Sequence, residues 1–367
     1  EATWLLFSET TQERYGFHIR HWARDLGIKI AAIFHDAIPI LHPEFCNDEV
    51  KANHESYMRG LAECDVVVPN SNFSAQCLKD FWKENTIRGC PVIPNVLPGE
   101  FSGVERKQEI QAPLFPEIKI LCVSTLEPRK NHMKLIEACL LLEKKHPDLN
   151  WSLTLVGNRY AGAFELVERV QSICDRNPRI KWLGIVDDGT LHRLYKESFF
   201  SVYSSVIEGY GLPILESIWH GRPCICFQEG VMAEIAAEGG CLTTDVTNEE
   251  ALSDAIYRLA TDRELFQRLS REAVTRRIKT WEDYTKEFVS ILESSTNVQV
   301  NRKNEKSSSL QEILYPGCLC DHWQMRDSER LALTALLSRH RPRCSIVIGT
   351  YPGGSLSLIS QYSEMVF

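Results

Sequence analysis

Short apolar runs alternate with amphipathic stretches along most of this 367-residue chain. The runs have the length of buried strands, while the stretches between them repeat their apolar positions at helical spacing. In the second half, strands are predicted near residues 118–124, 151–156, 180–183, 199–204, 223–227 and 240–243. Amphipathic helices are predicted at 248–259 and 263–275. This alternation is typical of a parallel sheet covered by helices on both faces.

The first hundred residues repeat the alternation on a smaller scale. Strands are predicted at 4–7, 28–34 and 65–69, and helices at 17–26, 50–64 and 73–82. A run at 91–96 is predicted to be the last strand of this half and the hinge to the next. The pattern predicts an α/β protein with a first domain at 1–100 and a second at 101–293, which closes with a helix at 281–292.

The stretch from Glu208 to Glu216 combines two carboxylates, two glycines and a proline at a strand-to-helix junction. Proline is favoured in the first turn of a helix. Gly209 and Gly211 let the backbone approach a ligand closely, and the helix start offers unpaired N–H groups to an anion. Carboxylates can accept hydrogen bonds from sugar hydroxyls or stabilise a developing positive charge. Taken alone, a helix start with a favourable acid in its first turns is the commoner explanation.

Two basic residues stand at a second strand-to-helix junction. Arg129 and Lys130 follow the strand predicted at 118–124 and precede a helix predicted at 133–142. Arginine complements a diphosphate by its planar fork, and lysine does so as a point charge. Most adjacent basic pairs are solvated surface, so the pair alone does not define a site. His35 directly follows the strand predicted at 28–34. A loop histidine packed against Pro39 or His42 explains this position equally well.

Composition and net charge exclude some classes of protein. The chain has 44% hydrophobic and 25% charged residues, as globular proteins do. A formal net charge of −8 argues against a nucleic-acid-binding protein, which usually carries a basic face. No apolar run reaches the length needed to cross a bilayer. The 13 cysteines, many of them within predicted strands or helices, indicate free thiols in a reducing cytoplasm.

Several stretches together resemble the retaining GT-B glycosyltransferases of family 4 (group 1). Residues 208–216 resemble the glutamate–seven–glutamate motif of that family. Residues 120–132, which read Ile-Leu-Cys-Val-Ser-Thr-Leu-Glu-Pro-Arg-Lys-Asn-His, resemble its phosphate-binding strand and loop. Further strands of the family are matched at 151–157, 180–184 and 221–226. The similarity runs from about residue 34 to residue 292, with the motifs in the order that the family requires.

The resemblance implies a GT-B fold, in which two Rossmann-like domains face each other across a cleft. It also implies a reaction, the transfer of a sugar from a nucleotide-diphosphate donor with retained anomeric configuration. No cofactor and no metal ion is expected, because the basic pair and a helix start neutralise the leaving diphosphate. The chain agrees in lacking the Asp-x-Asp metal motif of the other major glycosyltransferase fold.

The resemblance assigns roles to individual residues. Glu208 is expected beside the donor sugar, and His35 is expected near the transferred sugar as a second catalytic residue. Glu216 is expected at the ribose hydroxyls. The donor-binding residues are expected to be Arg129, Lys130, Gly209, Tyr210, Gly211, Leu212 and Glu216. Thr125 stands near a position where many relatives have arginine, so Arg129 is expected to take over that work.

The first domain departs from the family because the usual opening strand and glycine-rich loop are missing. We therefore expect a first domain truncated at its amino terminus, with an incomplete acceptor side. The leading hypothesis is a transferase of mannose- or rhamnose-like hexoses in surface polysaccharide biosynthesis, acting on a glycan or lipid-linked acceptor. It is expected in the cytoplasm, with peripheral contact at the inner face of the membrane left open. The alternative is a catalytically incomplete nucleotide-sugar-binding module of a larger glycosyltransferase–methyltransferase.

The last part of the chain has a different character. Residues 294–310 are rich in serine, lysine and asparagine, and a flexible linker is predicted over 294–325. The strand-like run from Cys344 leads into a glycine turn that resembles the first motif of class I S-adenosylmethionine-dependent methyltransferases. Residues 326–367 are therefore predicted to be the truncated start of such a domain. Val347 replaces the usual acidic residue, and a lone glycine turn is equally compatible with a simple cap.

Overall fold

The computed structural model describes residues 3–101, 104–110, 117–295, 344–345 and 365–366. The chain forms two compact units. The first comprises the residues up to Asn70, Ser74–Asn95 and the described residues from Glu287 onward, and the second comprises Ser71–Phe73 and Val96–Lys286. Most of the predicted linker (294–325) and of the predicted methyltransferase-like start (326–367) lies outside the described residues. Two short strands there, Cys344–Ser345 (β10) and Met365–Val366 (β11), pair in parallel.

The first unit is built on a three-stranded parallel sheet with the order β1-β2-β3. Its strands are Trp4–Phe7 (β1), Lys29–Phe34 (β2) and Val66–Pro69 (β3). Its helices are Glu13–Asp25 (α1), Ile38–Leu41 (α2), Asp48–Gly60 (α3) and Asn72–Glu84 (α4), the last from Ser74 onward. Apolar residues of these strands and helices form one core that includes Phe34, Met58 and Trp82. The predicted alternation of strands and helices is confirmed here, with helix ends shifted by a few residues.

The strand predicted at 91–96 is wrong. The structure has only a single bridge there, between Val67 and Val92. The N–H of Val67 donates to the carbonyl of Pro91, and the N–H of Ile93 donates to the carbonyl of Val67. The N–H of Asn95 also donates to the carbonyl of Pro69. Pro91 on one side of the bridge and Pro69 of β3 on the other have no N–H to donate, so the pairing does not extend to a second bridge.

The second unit is built on a six-stranded parallel sheet with the order β6-β5-β4-β7-β8-β9. Its strands are Ile118–Val123 (β4), Trp151–Val156 (β5), Ile180–Trp182 (β6), Phe200–Tyr203 (β7), Cys224–Phe227 (β8) and Cys241–Thr244 (β9). The chain starts at the middle of the sheet, runs outward to one edge, and then returns to the middle to build the other half. The direction reverses between β4 and β7, the place where ligands bind in doubly wound sheets.

Helices follow nearly every strand of this sheet. They are His132–Lys145 (α5), Phe164–Arg176 (α6), Asp188–Glu197 (α7), Leu212–Trp219 (α8), Gly230–Ala236 (α9), Glu249–Thr261 (α10), Arg263–Thr275 (α11) and Trp281–Ser295 (α12), the last only up to Lys286 in this unit. Asn248 and Asp262 cap α10 and α11 with their side chains. The main core lies between β4, β5, β7 and the helices α5 and α10.

The loops at the carboxyl end of this sheet approach each other closely. Gly157, directly after β5, has a φ of 146°, and a Cβ there would lie 2.1 Å from the carbonyl oxygen of Ser124. Only glycine fits this backbone conformation and this spacing. The end of β5 is thereby pressed against the end of β4, which leads into the predicted basic loop.

The structure also bears on two expectations from the sequence, which concern the state of the cysteines and the presence of membrane-spanning helices. Cys64, Cys122, Cys139, Cys224 and Cys226 are buried cysteines that form no disulfide, as predicted. Within the described ranges, none of the helices is both long enough and apolar enough to cross a membrane.

Candidate active site

Two loops meet where the strand order of the second unit reverses. One loop follows β4 and leads through Arg129 and Lys130 into α5. The other follows β7 and leads through Glu208 into α8. Because β4 and β7 are paired in parallel, their carboxyl ends lie side by side. The sheet therefore brings together two motifs that are almost eighty residues apart in sequence.

The first loop makes a tight 3₁₀ turn at Pro128–Lys130, and Asn131 follows with a left-handed backbone, φ 57°. The amide of Asn131 donates to the carbonyl of Val246 at 2.8 Å. The second loop fixes the backbone of this turn through two hydrogen bonds. The hydroxyl of Ser204 donates to the carbonyl of Lys130 at 2.8 Å, and the N–H of Val206 donates to the carbonyl of Arg129 at 2.9 Å.

Glu208 lies between the two predicted cations. Its Oε2 accepts from Nη1 of Arg129 at 2.7 Å, and its Oε1 accepts from Nζ of Lys130 and from the hydroxyl of Ser205. The glutamate is only 8% exposed. Arg129 and Lys130 were predicted to lie at a diphosphate, and Glu208 beside a sugar. The structure joins the three groups in one buried ion-pair network.

The network perturbs the pKa of each member. Burial raises the pKa of Glu208, but the charges of Lys130 and Arg129 and the hydrogen bonds to the carboxylate outweigh it, so this pKa is lowered. Burial and the charge of Arg129 lower the pKa of Lys130, against the opposing charge of Glu208. For Arg129, burial is outweighed by Glu208 and Glu127, and its pKa is raised. At neutral pH we therefore expect Glu208 and Arg129 to be charged, and Glu208 keeps Lys130 charged against the cost of burial.

Three residues of this network were missed by the sequence analysis. Nε of Arg129 donates to Oε1 of Glu127 at 2.7 Å, and Nζ of Lys130 donates to the hydroxyl of Tyr203 at 3.1 Å. The third missed residue is Ser205, whose hydroxyl donates to Oε1 of Glu208. Glu127 stands two residues before Arg129, so this pair was open to discovery as a local contact. Tyr203 and Ser205 looked like ordinary strand-end residues, and only the pairing of β4 with β7 shows their partners.

The glycine turn leads from Glu208 into α8. Gly209 is half-buried, and Gly211 has a φ of 138°, a backbone conformation that favours glycine. Tyr210 is buried, and its hydroxyl donates to the carbonyl of Leu97 at 2.7 Å. Leu212 is the first residue of α8 and is 43% exposed. The first turn of a helix has N–H groups without intrahelical partners, which attract anions.

Glu216 stands in the middle of α8 and is half-buried. Its Oε2 accepts a hydrogen bond at 2.8 Å from the hydroxyl of Tyr195, a residue that the sequence analysis also missed. Burial raises the pKa of Glu216, and the hydrogen bond from Tyr195 opposes this rise. The two glutamates of the motif therefore have opposite environments, because only Glu208 has cations beside it.

His35 belongs to the first unit, whereas the other predicted site residues belong to the second. It directly follows β2, and its Nε2 lies 2.9 Å from the carbonyl oxygen of Ser8. The hydroxyl of Ser74 donates to the carbonyl of His35 at 3.0 Å. These contacts hold His35 at the carboxyl ends of β1 and β2.

The surroundings of the ion-pair network include a histidine with a strongly perturbed pKa. His132 begins α5, is buried, and places Nε2 at 2.9 Å from the hydroxyl of Ser124. Burial, followed by the charge of Lys130, lowers the pKa of His132 to about 4. Its imidazole is therefore neutral at pH 7.

We expect this histidine to make the folded protein less stable in mild acid. The pKa in the unfolded chain is 6.5, above the folded value of about 4, so the contribution is fully present above pH 6.5 and is lost as the pH falls towards 4. The loss amounts to about 3 kcal/mol, since one pKa unit corresponds to about 1.4 kcal/mol. Urea unfolding between pH 7.5 and 4.5 measures it. His132→Gln is expected to flatten the decline of stability with falling pH, whereas the exposed His18→Gln is not. Parallel pH curves for wild type and His132→Gln would contradict this assignment.

The described part of the chain contains no group of three or more His, Cys, Asp or Glu side chains that could hold a metal ion. The ion-pair network at the candidate site consists of two cations, Arg129 and Lys130, and two carboxylates, Glu127 and Glu208. Their charges cancel, so an incoming anion has to compete with Glu208 and Glu127 for the cations.

Comparison with known proteins agrees with this geometry. Residues 105–276, which contain both loops, match the family model of the glycosyl transferases group 1. The O-antigen chain mannosyltransferase B of Escherichia coli is 28% identical over 241 residues. That alignment covers 62% of this chain and 60% of the relative, so the match spans less than two thirds of the relative's own length.

Solved structures share the fold of the chain. Sucrose-phosphate synthase from Thermosynechococcus elongatus superposes with a TM-score of 0.63 at 16% identity, over 79% of this chain and 73% of that one. Anabaena HepE, solved in complex with UDP and glucose, superposes with a TM-score of 0.59 at 18% identity, over 79% of this chain and 78% of that one. The predicted α/β fold of the GT-B type is thereby confirmed, and at these identities the likeness concerns the fold alone.

Proposed function

We propose that this chain is a retaining glycosyltransferase of family 4 that transfers a hexose, mannose- or rhamnose-like, from a nucleotide-diphosphate sugar to a glycan or lipid-linked acceptor. The pathway that we infer is surface polysaccharide biosynthesis. The group 1 family match and the mannosyltransferase name of the E. coli relative support a hexosyltransferase. The UDP and glucose in the Anabaena complex support a nucleotide sugar as the donor.

One observation carries the proposal. A buried carboxylate, Glu208, is held between Lys130 and Arg129 at the point where the strand order of a doubly wound sheet reverses. A structural ion pair could stand anywhere in the fold. This one stands beside the start of a helix, where phosphates bind, and it places a negative charge next to the cations.

In the proposed complex, the diphosphate of the donor lies against Lys130, Arg129 and the first turn of α8. Glu208 then lies beside the sugar, where its charge stabilises the positive charge that develops on the ring. Glu216, on the same helix, accepts hydrogen bonds from the ribose hydroxyls. His35 is assigned to the transferred sugar on the resemblance of its motif to that of family 4.

The proposed reaction breaks the bond between the anomeric carbon and the leaving diphosphate oxygen. The acceptor oxygen forms its bond to the same face of the sugar, which retains the configuration. The proton of the acceptor hydroxyl passes to the leaving diphosphate. In this scheme, Lys130, Arg129 and the helix start neutralise the leaving group, so the reaction is assigned neither a metal ion nor a cofactor. We place it in the cytoplasm, where peripheral contact would bring a lipid-linked acceptor within reach.

The proposal is tested with the full chain and a panel of GDP-mannose, UDP-glucose and dTDP-rhamnose, with and without methyl α-mannoside as a simple acceptor. Release of the nucleoside diphosphate and formation of a disaccharide with retained configuration are the expected results for one donor. Tight binding of a donor without any turnover would support the alternative, a nucleotide-sugar-binding module. If no donor is bound or cleaved, the proposed function is wrong.

A further inference from the structure

Tyr195 is a fully buried residue of α7 whose hydroxyl is directed at the glutamate motif. Its ring packs with Leu121 and Val156 at the carboxyl ends of β4 and β5. The ring also stacks on His220, with ring centroids 4.9 Å apart and planes 14° from parallel. These contacts hold the buried ring, and with it the position of its hydroxyl.

The hydroxyl of Tyr195 has two acceptors within reach. Oε2 of Glu216 lies at 2.8 Å and the carbonyl oxygen of Pro213 at 3.4 Å, so the single proton is directed mainly at the carboxylate. Burial, followed by the charge of Glu216, raises the pKa of Tyr195 well above its usual value. The phenol therefore remains protonated and acts as a donor between pH 5 and pH 8.

This contact determines how Glu216 presents its carboxylate. Oε2 is engaged by Tyr195, whereas Oε1 makes no hydrogen bond to any part of the chain that the structure describes. Glu216 stands four residues after the exposed Leu212, so both lie on one face of α8. A ligand at the start of α8 therefore meets Oε1 with its orientation already set by the phenol.

We propose that Tyr195 is a positioning residue that fixes the carboxylate of Glu216 so that its free oxygen accepts hydrogen bonds from the ribose of the donor. This inference rests on the proposed function, and it concerns the hydroxyl alone. A phenylalanine would fill the same space between Leu121, Val156 and His220. The hydroxyl is the part that core packing does not require, because a buried O–H costs free energy unless it is paired.

Other ionisable groups surround this contact. They are His220 and Arg222 at the end of α8 and beyond, His192 and Lys196 on α7, Cys122 on β4 and Cys224 on β8. The pKa of His220 is lowered to about 4 by burial, and burial also raises the pKa of both thiols above the usual range. His220, Arg222 and the two thiols therefore keep one protonation state between pH 5 and 8. The ring of His192 lies next to this group, with Nδ1 3.1 Å from Nε2 of His220. His192→Gln therefore serves as a control for any effect that arises from this second histidine.

The test is a calorimetric titration of the full chain with GDP, UDP and ADP and with their 2′-deoxy counterparts, from pH 5 to pH 8. For the nucleotide that wild type binds, Tyr195→Phe is expected to weaken binding about tenfold, as loss of a hydrogen bond to a charged group does. Its preference for ribose over deoxyribose is expected to shrink. Without the phenol, the pKa of Glu216 rises further, so the decline of affinity in acid is expected to begin at a higher pH.

Two further variants make the test decisive. Tyr257→Phe, on α10 where the ring stacks on His146, is the matched control and is expected to bind as wild type does. Glu216→Gln keeps Tyr195 in place, and it is expected to lose both the preference for ribose and the decline in acid. If Tyr195→Phe destabilises the fold and lowers the urea midpoint, the binding data of Glu216→Gln still test the role of the carboxylate.

The outcomes separate this inference from the proposed function. If wild type binds none of the nucleotides, the proposed function fails, and the inference fails with it. If wild type binds but Tyr195→Phe keeps wild-type affinity, ribose preference and pH profile, the inference alone is overturned. Equal weakening for ribose and deoxyribose without a change in the pH profile overturns it too, because a packing defect gives that result.

Discussion

Glu208→Gln is expected to lower the rate of sugar transfer about a hundredfold to a thousandfold, the effect of removing one pre-oriented electrostatic group from an active site. The amide has nearly the shape of the carboxylate, so the loops keep their packing. What is lost is the negative charge beside the sugar, where the transition state becomes positive. The buried cations Arg129 and Lys130 also lose their shared counter-charge. The measurement is kcat/KM with the donor that wild type uses.

The matched control for this variant is Glu264→Gln, an exposed glutamate in the first turn of α11. It changes the net charge by the same amount and is expected to leave kcat/KM within about twofold of wild type, as surface charges far from a site usually do. Transfer at the wild-type rate by Glu208→Gln would remove Glu208 from the chemistry. Loss of transfer in both variants would point to a general effect of charge.

Lys130→Met is expected to weaken binding of the donor about a hundredfold. Methionine keeps an unbranched apolar stem of similar length but removes the ammonium group, which lies against Glu208 and Tyr203. Removing one partner of a buried charge pair costs about 2–5 kcal/mol in binding, part of it because Glu208 then lacks one of its two cations. Arg129 remains, and it is already shared between Glu127, Glu208 and the carbonyl of Ile207. The dissociation constant of the donor is the quantity to measure.

Lys144→Met, at the exposed end of α5, is the control for this substitution. This substitution removes a lysine at the other end of α5, outside the ion-pair network. The affinity for the donor is expected to stay unchanged. A Lys130→Met variant that binds the donor as tightly as wild type would show that the phosphates lie elsewhere. An arginine at position 130 is expected to be a poor replacement, because its planar guanidinium differs in shape and donor geometry from the ammonium group that contacts Tyr203 and Glu208.

The alternation of strands and helices was predictable from the sequence because each apolar run has a single role in a parallel sheet. The strand Ile118–Val123 is apolar at all but one position, and Trp151–Val156 begins with a period-two alternation of apolar and polar residues; both patterns differ from those of the amphipathic helices. The strand predicted at 91–96 does not form, because Pro91 and its neighbour across the pairing, Pro69, lack the N–H groups that further bridges need. Helix ends were less well predicted, because capping by side chains such as Asn47 extends helices beyond their apolar positions.

The candidate site was predictable in its members but not in its connections. Proline, glycine and charge at two strand ends indicated Arg129, Lys130 and Glu208 separately. That these three side chains share one ion-pair network depends on the pairing of β4 with β7, a contact between strands that are far apart in sequence. Sequence spacing holds no information on such a contact unless the strand order is known.

Tyr195 shows a second limit. Its position on α7 is that of a core aromatic residue, and its ring behaves as one. The signal that could have revealed it is the hydroxyl itself, because a tyrosine at a buried helical position needs a partner for its O–H. The partner, Glu216, lies on another helix, and only the packing of α7 against α8 identifies it.

The central claim is that the cations held by Glu208 form the site of the donor diphosphate. Calorimetric titration of wild type, Lys130→Met and Glu208→Gln with the same nucleoside diphosphate tests it most directly, since no acceptor and no turnover are needed. Glu208 competes with the diphosphate for Lys130 and Arg129, so the two variants are expected to change affinity in opposite directions. We expect weaker binding by Lys130→Met and equal or tighter binding by Glu208→Gln. Unchanged binding by Lys130→Met, or an equal loss in both variants, would contradict the account.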